Sequence, residues 1–359
     1  MVKRIKVIHF VSGMKNGGVE EVLKNYTELL NKNCPIENII VYQHEANKAR
    51  LNQMTSIGNK LVEIPYKKEH PLKNLIATYS IIKKEKPDVV HAHMNLLNFF
   101  PLSIAKLLNV KVRISHAHIA NDNVNHILAP VFKKLNLLFA NYNFACGEKA
   151  GKYMFGRKKF YIIYNAINQN KFKYNVAYRE KLRREFNVSD NTIILGTIGR
   201  LTKQKNQVFL IKLFKKYNSI IPNSRLFIVG NGELENYLVN YAKNNGIQNK
   251  IYFINETSNP QKFYSLFDYF LLPSLYEGLP LVAVEAQASG INTILSDNID
   301  RSVKFNSNVS FLPLNSNKWI TKIRESKKNF RSQINEKNCY NICFQYNKLF
   351  NLYINFLNK

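Results

Sequence analysis

Two glutamates, Glu277 and Glu285, stand in PSLYEGLPLVAVEAQASG, a run that is otherwise apolar. A carboxylate among apolar neighbours is costly to bury unless its oxygens accept hydrogen bonds, and sugar hydroxyls are donors of that kind. DYFLLPS reads as a buried strand, and Pro280 suits the first turn of a helix. LPLVAVEAQASG continues as a short apolar helix stopped by Gly290. Glu277 then sits in the loop at the strand's carboxyl end, with Gly278, Leu279 and Pro280 leading into the helix that carries Glu285. The free N–H groups of such a helix start suit a phosphate. The plainer alternative is that Glu277 merely favours a helix N-terminus and Glu285 pairs with a structural Arg or Lys.

GTIGRLTKQKN, residues 196–206, is a second constellation. An apolar strand ends in Gly199, and Arg200 and Lys205 follow on a short loop. Arg forks onto two phosphate oxygens and Lys supplies a compact charge, which together suit a diphosphate. Elsewhere such a pair is usually a solvated face; the strand–loop junction is what singles it out. SGMKNGGVEEVL, residues 12–23, follows the first strand. Gly17 and Gly18 can adopt backbone angles closed to other residues and let a ligand approach the main chain. The pattern is not GxGxxG and no acidic ribose reader follows, so no dinucleotide cofactor is expected. RISHAHIAND, residues 113–122, carries His116 and His118, and HAH recurs at 91–93. These histidines invite a metal, but no carboxylate or cysteine stands at a spacing that completes the site. No DxD occurs either, since Asp297 and Asp300 lie in DNID. No metal is expected, and cation work falls to Arg200 and Lys205.

Short apolar runs alternate with amphipathic ones and must position these groups. IKVIHFV, NIIVYQ, LVEIP, VVHAH, KVRISHAH, NFACG and FYIIYNAI read as strands, with helical patterns such as GVEEVLKNYTELLNKN between them. Such alternation predicts βαβ units and a parallel sheet. Residues 167–190 are polar and strand-free, a linker plus one basic helix. The alternation restarts with TIILGTIGR, RLFIVGNG, KIYFI, YFLLPS and NTILSD. The expectation is an α/β chain of two doubly wound, Rossmann-like domains, 1–170 and 171–335, with a ligand site in a cleft between them. Residues 336–359 form a helix that packs back, burying Phe344, Leu349, Tyr353 and Phe356.

The chain has 359 residues, 45% of them hydrophobic, which is a globular composition. Lys plus Arg number 52 against 24 Asp plus Glu, a net charge of +28. That surplus suits an anionic partner, whether nucleic acid, acidic lipid or phosphorylated substrate, unless it is only composition bias. A nucleic-acid binder is the alternative from another class, but no stacking surface or reading helix is evident, and no nucleic acid is expected as a partner. Cys34, Cys146, Cys339 and Cys343 form no CxxC pair, as reduced cytoplasmic thiols would not. Neither a signal peptide nor an apolar span of membrane length is evident.

With these residues assembled, the chain resembles the retaining glycosyltransferases with the GT-B fold, glycosyltransferase family four. GTIGRLTKQKN, LFIVGNGELENYL, FDYFLLPSLYEGLPLVAVEAQASG and TILSD follow the family pattern in order and spacing. The GG loop and RISHAH match more loosely. In finer wording the chain is similar to bacterial enzymes of capsule and exopolysaccharide assembly. The resemblance implies an N-terminal acceptor domain and a C-terminal domain that binds a nucleotide-sugar, a UDP-sugar by preference and a GDP-sugar as the alternative. It implies that Glu277 contacts the transferred sugar, Glu285 the ribose, and Arg200 and Lys205 the diphosphate. Gly17 and Gly18 match the glycine loop at the phosphates, and His118 the histidine near the sugar, with His116 as the fallback. Gly278, Leu279 and Pro280 belong to the same motif as the glutamates. Family enzymes need no metal or other cofactor. Asn292 and Leu279 depart from the usual proline and aromatic. A lipid-linked oligosaccharide acceptor would explain the charge, since YSIIKKEKP and PVFKKLNLLF could then dock at an anionic membrane face.

Overall fold

The computed structural model describes residues 4–15, 17–44, 46–119, 128–326 and 330–359. The chain divides into two compact units, residues 1–167 with 339–359, and residues 168–338.

The first unit is built on seven parallel strands: β1 (Ile5–Phe10), β2 (Ile36–Tyr42), β3 (Lys60–Glu63), β4 (Val89–Ala92), β5 (Val112–Ala117), β6 (Tyr142–Ala145) and β7 (Tyr161–Ile162). Their order across the sheet is β3-β2-β1-β4-β5-β6-β7. The second unit has six: β8 (Ile193–Ile198), β9 (Ser224–Val229), β10 (Ile251–Ile254), β11 (Tyr269–Leu272), β12 (Asn292–Ser296) and β13 (Val309–Leu312), in the order β10-β9-β8-β11-β12-β13. In each sheet the first strand lies between the second and the fourth, the doubly wound arrangement in which the winding reverses beside the first strand. Ligands bind outside the carboxyl ends of the strands at that reversal, because loops on its two sides diverge and leave a crevice.

The strands form where the sequence is apolar on both faces. Leu226, Phe227, Ile228 and Val229 of β9 are all buried, as a parallel strand covered by helices on both sides requires. Helices Gln207–Ile220 and Ser316–Glu325 cover one face of the second sheet, inserting Leu210, Phe214, Trp319 and Ile323 into the core beside Leu226 and Leu271. The strand missing from the sequence reading is β13. It is a four-residue edge strand, three of whose residues are only half-buried, so its apolar signal is weak.

The supposed linker is part of the second unit. Helix Val176–Glu185 buries Arg179 and Arg183 against Asp268. Asp268 Oδ1 accepts from Arg179 Nη2 at 2.7 Å and Oδ2 from the Ile194 N–H at 2.8 Å. A helix read as merely basic is thus held by a buried ion pair.

The C-terminal helix, Ile342–Leu357, docks on the first unit. Backbone bonds from Ile167 N–H to Tyr340 and from Ile342 N–H to Ile167 clamp its start. Leu349, Tyr353 and Phe356 are buried, and Phe356 stacks on Tyr142 with ring centroids 3.6 Å apart. Phe344 does not join them: it is 51% exposed. At 100° per residue it falls on the opposite side of the helix from Leu349, five positions away.

Candidate functional site

The second unit assembles its chemistry on β8 and β11, which pair directly through Tyr269 with Leu195 and Phe270 with Gly196. Beyond β8 the chain must turn sharply under the next loop. Gly199 sits at φ +151° and Gly230 at +137°, and a Cβ on Gly230 would collide with the Gly199 carbonyl. Only glycine allows this backbone-on-backbone approach. The Leu201 N–H then bonds the Asn231 carbonyl at 2.9 Å, fixing the loop that carries Arg200.

The loops after β8 and β11 are stitched together. The Gln204 carbonyl accepts the Leu275 N–H at 2.8 Å, while Gln204 Nε2 donates to the Tyr276 carbonyl at 2.9 Å. Asn206 Nδ2 reaches the Pro273 carbonyl at 3.2 Å. Between them Lys205 Nζ meets Glu277 Oε1 at 2.6 Å, and Ser274 Oγ donates to the same oxygen at 2.8 Å. The two charged side chains are 13% and 8% exposed, so solvent screens the pair weakly. Lys205 has three N–H donors and spends one on Glu277, leaving two for a ligand. Arg200 differs. It is exposed and has no carboxylate partner among the described residues. The surplus positive charge at this loop pair therefore lies on Arg200 and on the exposed Lys203.

Glu285 is the fifth residue of helix Leu281–Ala288 and is buried. Its Oε2 accepts from the Tyr264 hydroxyl at 2.8 Å, and burial, reinforced by that carboxylate, pushes the Tyr264 hydroxyl far above its ordinary range. Tyr264 therefore stays a donor at any physiological pH. Leu279 and Pro280 are buried at the start of this helix, with Pro280 in its capping position, and Gly290 beyond its end takes φ +74°.

In the first unit Gly17 caps helix Gly18–Asn33 in ordinary extended geometry, φ −94°, ψ 168°. Neither Gly17 nor Gly18 takes a left-handed backbone angle. A Cβ on Gly18 would meet nothing, whereas one on Gly17 would strike the Glu20 carboxylate.

His118 lies just past β5 and is buried. It is one of five histidines, with His9, His91, His93 and His116, that parallel register gathers on β1, β4 and β5. Burial holds all five below the usual imidazole range, His9 at about 4 and His118 at about 3. They are neutral at physiological pH. His9, His91 and His93 form one group, and His93, His116 and His118 another, in which one ring nitrogen from each lies within 4.8 Å of the others. The sequence reading looked for a carboxylate or cysteine to complete a metal site and did not foresee that β1 would bring in His9. Residues 120–122 of the RISHAHIAND stretch lie outside the described residues.

Sequence reasoning also missed Gln204, Ser274 and Tyr264. Gln204 stands inside the quoted loop but carries no charge to draw notice. Tyr264 is remote in sequence from Glu285 and meets it only through packing.

Residues 178–329 match the family model described as glycosyl transferases group 1. A glycosyltransferase of Bacillus subtilis (strain 168) named EpsF is 29% identical over 83% of this chain and 80% of its own. A UDP-Gal:alpha-D-GlcNAc-diphosphoundecaprenol alpha-1,3-galactosyltransferase of Escherichia coli is 28% identical over 63% of this chain and 62% of its own. The capsular polysaccharide biosynthesis glycosyltransferase CapH of Staphylococcus aureus is 25% identical over 98% of this chain and 99% of its own. Among solved structures, Anabaena Alr3699/HepE, in complex with UDP and glucose, superposes with a TM-score of 0.81 over 98% of this chain and 100% of that one, at 15% identity.

Proposed function

We propose that this chain, a group 1 glycosyltransferase by its second unit and GT-B by its fold, transfers a hexose or N-acetylhexosamine from a UDP-sugar to a lipid-linked glycan, with retention of configuration and without a metal. The product belongs to a cell-surface polysaccharide. The observation that carries the reading is the joining of the β8 and β11 loops, which sets Lys205 on Glu277 at the sheet's reversal, with Arg200 on the same loop as Lys205. Arg200 and Lys205 hold the donor diphosphate and stabilise the negative charge that grows on the departing nucleotide, the electrostatic contribution expected to dominate such a step. Glu277, held by Lys205 and Ser274, accepts hydroxyls of the transferred sugar. Glu285 accepts from the ribose, with Tyr264 keeping its other side satisfied. Gly278, Leu279 and Pro280 shape the backbone at the same loop. His118 serves the transferred sugar, and Gly18, with open space before it, lines the approach while Gly17 caps the helix.

The choice of UDP and of a diphosphate-lipid acceptor is supported by the Escherichia coli galactosyltransferase, whose name states both. GDP-sugar remains the alternative donor. The first unit is the acceptor domain and works at an anionic membrane face. Helices Pro71–Glu85 and Leu128–Phe139 support this, since Leu72, Ile76, Val131 and Leu138 are exposed beside lysines. Retention on anionic vesicles at low salt, lost at high salt, is the expected outcome; no retention sinks this part. No helix of the described residues is long and apolar enough to cross a membrane.

Thermal shift against UDP, GDP, ADP and CMP in EDTA tests the donor site. A ligand at a hundred times its dissociation constant raises stability by about 2.7 kcal/mol. UDP is expected to shift the wild type and to shift Arg200→Ala far less. No shift with any nucleotide overturns the donor-site reading.

A further inference from the structure

The buried histidines of the first unit form a hydrogen-bond chain with a direction. Its direction starts at a backbone carbonyl, which can only accept. Asn31 Nδ2 donates to the Ile57 carbonyl at 2.9 Å, so the Asn31 Oδ1 is turned toward Asn38 and accepts its Nδ2 at 2.8 Å. Asn38 Oδ1 then faces His9 Nε2 at 3.0 Å, and that nitrogen must carry the hydrogen. A neutral imidazole has one N–H, so His9 Nδ1 is bare and accepts from His93 Nε2 at 3.1 Å. By the same rule His93 Nδ1 is bare and accepts from His118 Nε2 at 2.9 Å. The chain ends at His118 Nδ1, a bare lone pair that is buried and has no hydrogen-bond partner among the described residues.

Burial supports the premise of neutrality, since it depresses His9, His93 and His118. The second branch has no such anchor. His91 lies between the Tyr353 hydroxyl at 2.7 Å and His116 Nδ1 at 3.1 Å, and a hydroxyl can serve in either sense. A metal held by His93, His116 and His118 would need lone pairs, yet both nitrogens of His93 are already committed to neighbouring rings.

We infer that Asn38, His9 and His93 are positioning residues that lock His118 in its Nε2–H tautomer and present the Nδ1 lone pair to a hydroxyl of the sugar. This rests on the placement of His118 at the sugar proposed above. The locked ring accepts and does not donate. It therefore favours a hydroxyl over a carboxylate or phosphate oxygen at that point, and a uronic acid carrying its carboxylate there is turned away.

The test is a long-range ¹H–¹⁵N spectrum of the full chain labelled in histidine, with the His118 signals assigned by their loss in His118→Gln. In the wild type without donor, His118 is expected as the pure Nε2–H form from pH 7.5 to pH 5.5. His9→Leu removes the acceptor for His93, so His118 is expected as a mixture of tautomers. Its kcat/KM is expected to fall in proportion to the Nε2–H fraction, about twofold for an even mixture. His9→Gln, whose amide can donate to Asn38 and accept from His93, restores the single tautomer and the rate. A wild-type His118 carrying its hydrogen on Nδ1 overturns the inference, as does an unmoved tautomer in His9→Leu. If His9→Leu fails to fold, the wild-type and His9→Gln spectra still decide. The tautomer is read without substrate: a locked His118 in a chain that binds no nucleotide-sugar overturns the functional reading and leaves the chain's direction standing.

Discussion

Acidification from pH 7.5 to pH 4.5 is expected to unfold the first unit before the second. Five histidines buried as neutral rings lie in the first unit and must gain protons when it unfolds. Their folded values are depressed, so the unfolded state binds more protons. Stability is complete above the unfolded value near 6.5 and falls with pH until the folded value is reached. His9, at about 4, and His118, at about 3, span that window. Linkage over those shifts makes each cost about 2–3 kcal/mol by pH 4.5, about 5 kcal/mol together, and the other three add in the same sense. A single domain has about 5–15 kcal/mol in all, so the loss is decisive. Carboxylates such as Glu21, held low by Lys24 and Arg50, release their contribution only at lower pH. The chain's one tryptophan, Trp319, lies in the second unit. Far-ultraviolet circular dichroism should therefore lose amplitude while Trp319 fluorescence still reports a folded environment. A flat stability between pH 6.5 and 4.5, or Trp319 moving first, refutes the reasoning.

Asp268→Ala leaves Arg179 and Arg183 buried without their carboxylate and the Ile194 N–H without its acceptor. Breaking a buried pair in this way costs about 3–5 kcal/mol, to be read as a lower denaturation midpoint by Trp319 fluorescence. Gly230→Ala forces a side chain onto the Gly199 carbonyl at an angle ordinary residues avoid. A loss of about 1–3 kcal/mol is expected, with weaker UDP binding because the Arg200 loop must move.

Twelve of the thirteen strands among the described residues were legible, because parallel strands buried on both faces are written as plain apolar runs. β13 was not, since it is a four-residue edge strand whose short apolar run is broken by Ser310. Arg200, Lys205 and Glu277 were legible as candidates because charges interrupt apolar surroundings at strand ends. Their pairing was not, because it depends on β8 and β11 becoming neighbours across a long separation in sequence. Gly17 and Gly18 were legible as a glycine pair before a helix, while the ordinary extended geometry at that helix start was not. The histidines showed as a spacing on β4 and β5, while His9 and Asn38 could be added only once the sheet order placed β1 between β2 and β4.

The most direct test is transfer itself. The purified chain is incubated in EDTA with UDP-galactose, UDP-glucose or UDP-N-acetylglucosamine and a lipid-diphosphate sugar acceptor, and both UDP release and the anomer of the product are measured. Acceptor-dependent release of UDP from one donor is expected, with an axial linkage that keeps the donor's configuration and at least a ~100-fold loss in Arg200→Ala and Glu277→Gln. No transfer from any nucleotide-sugar, or transfer that survives both substitutions, contradicts it.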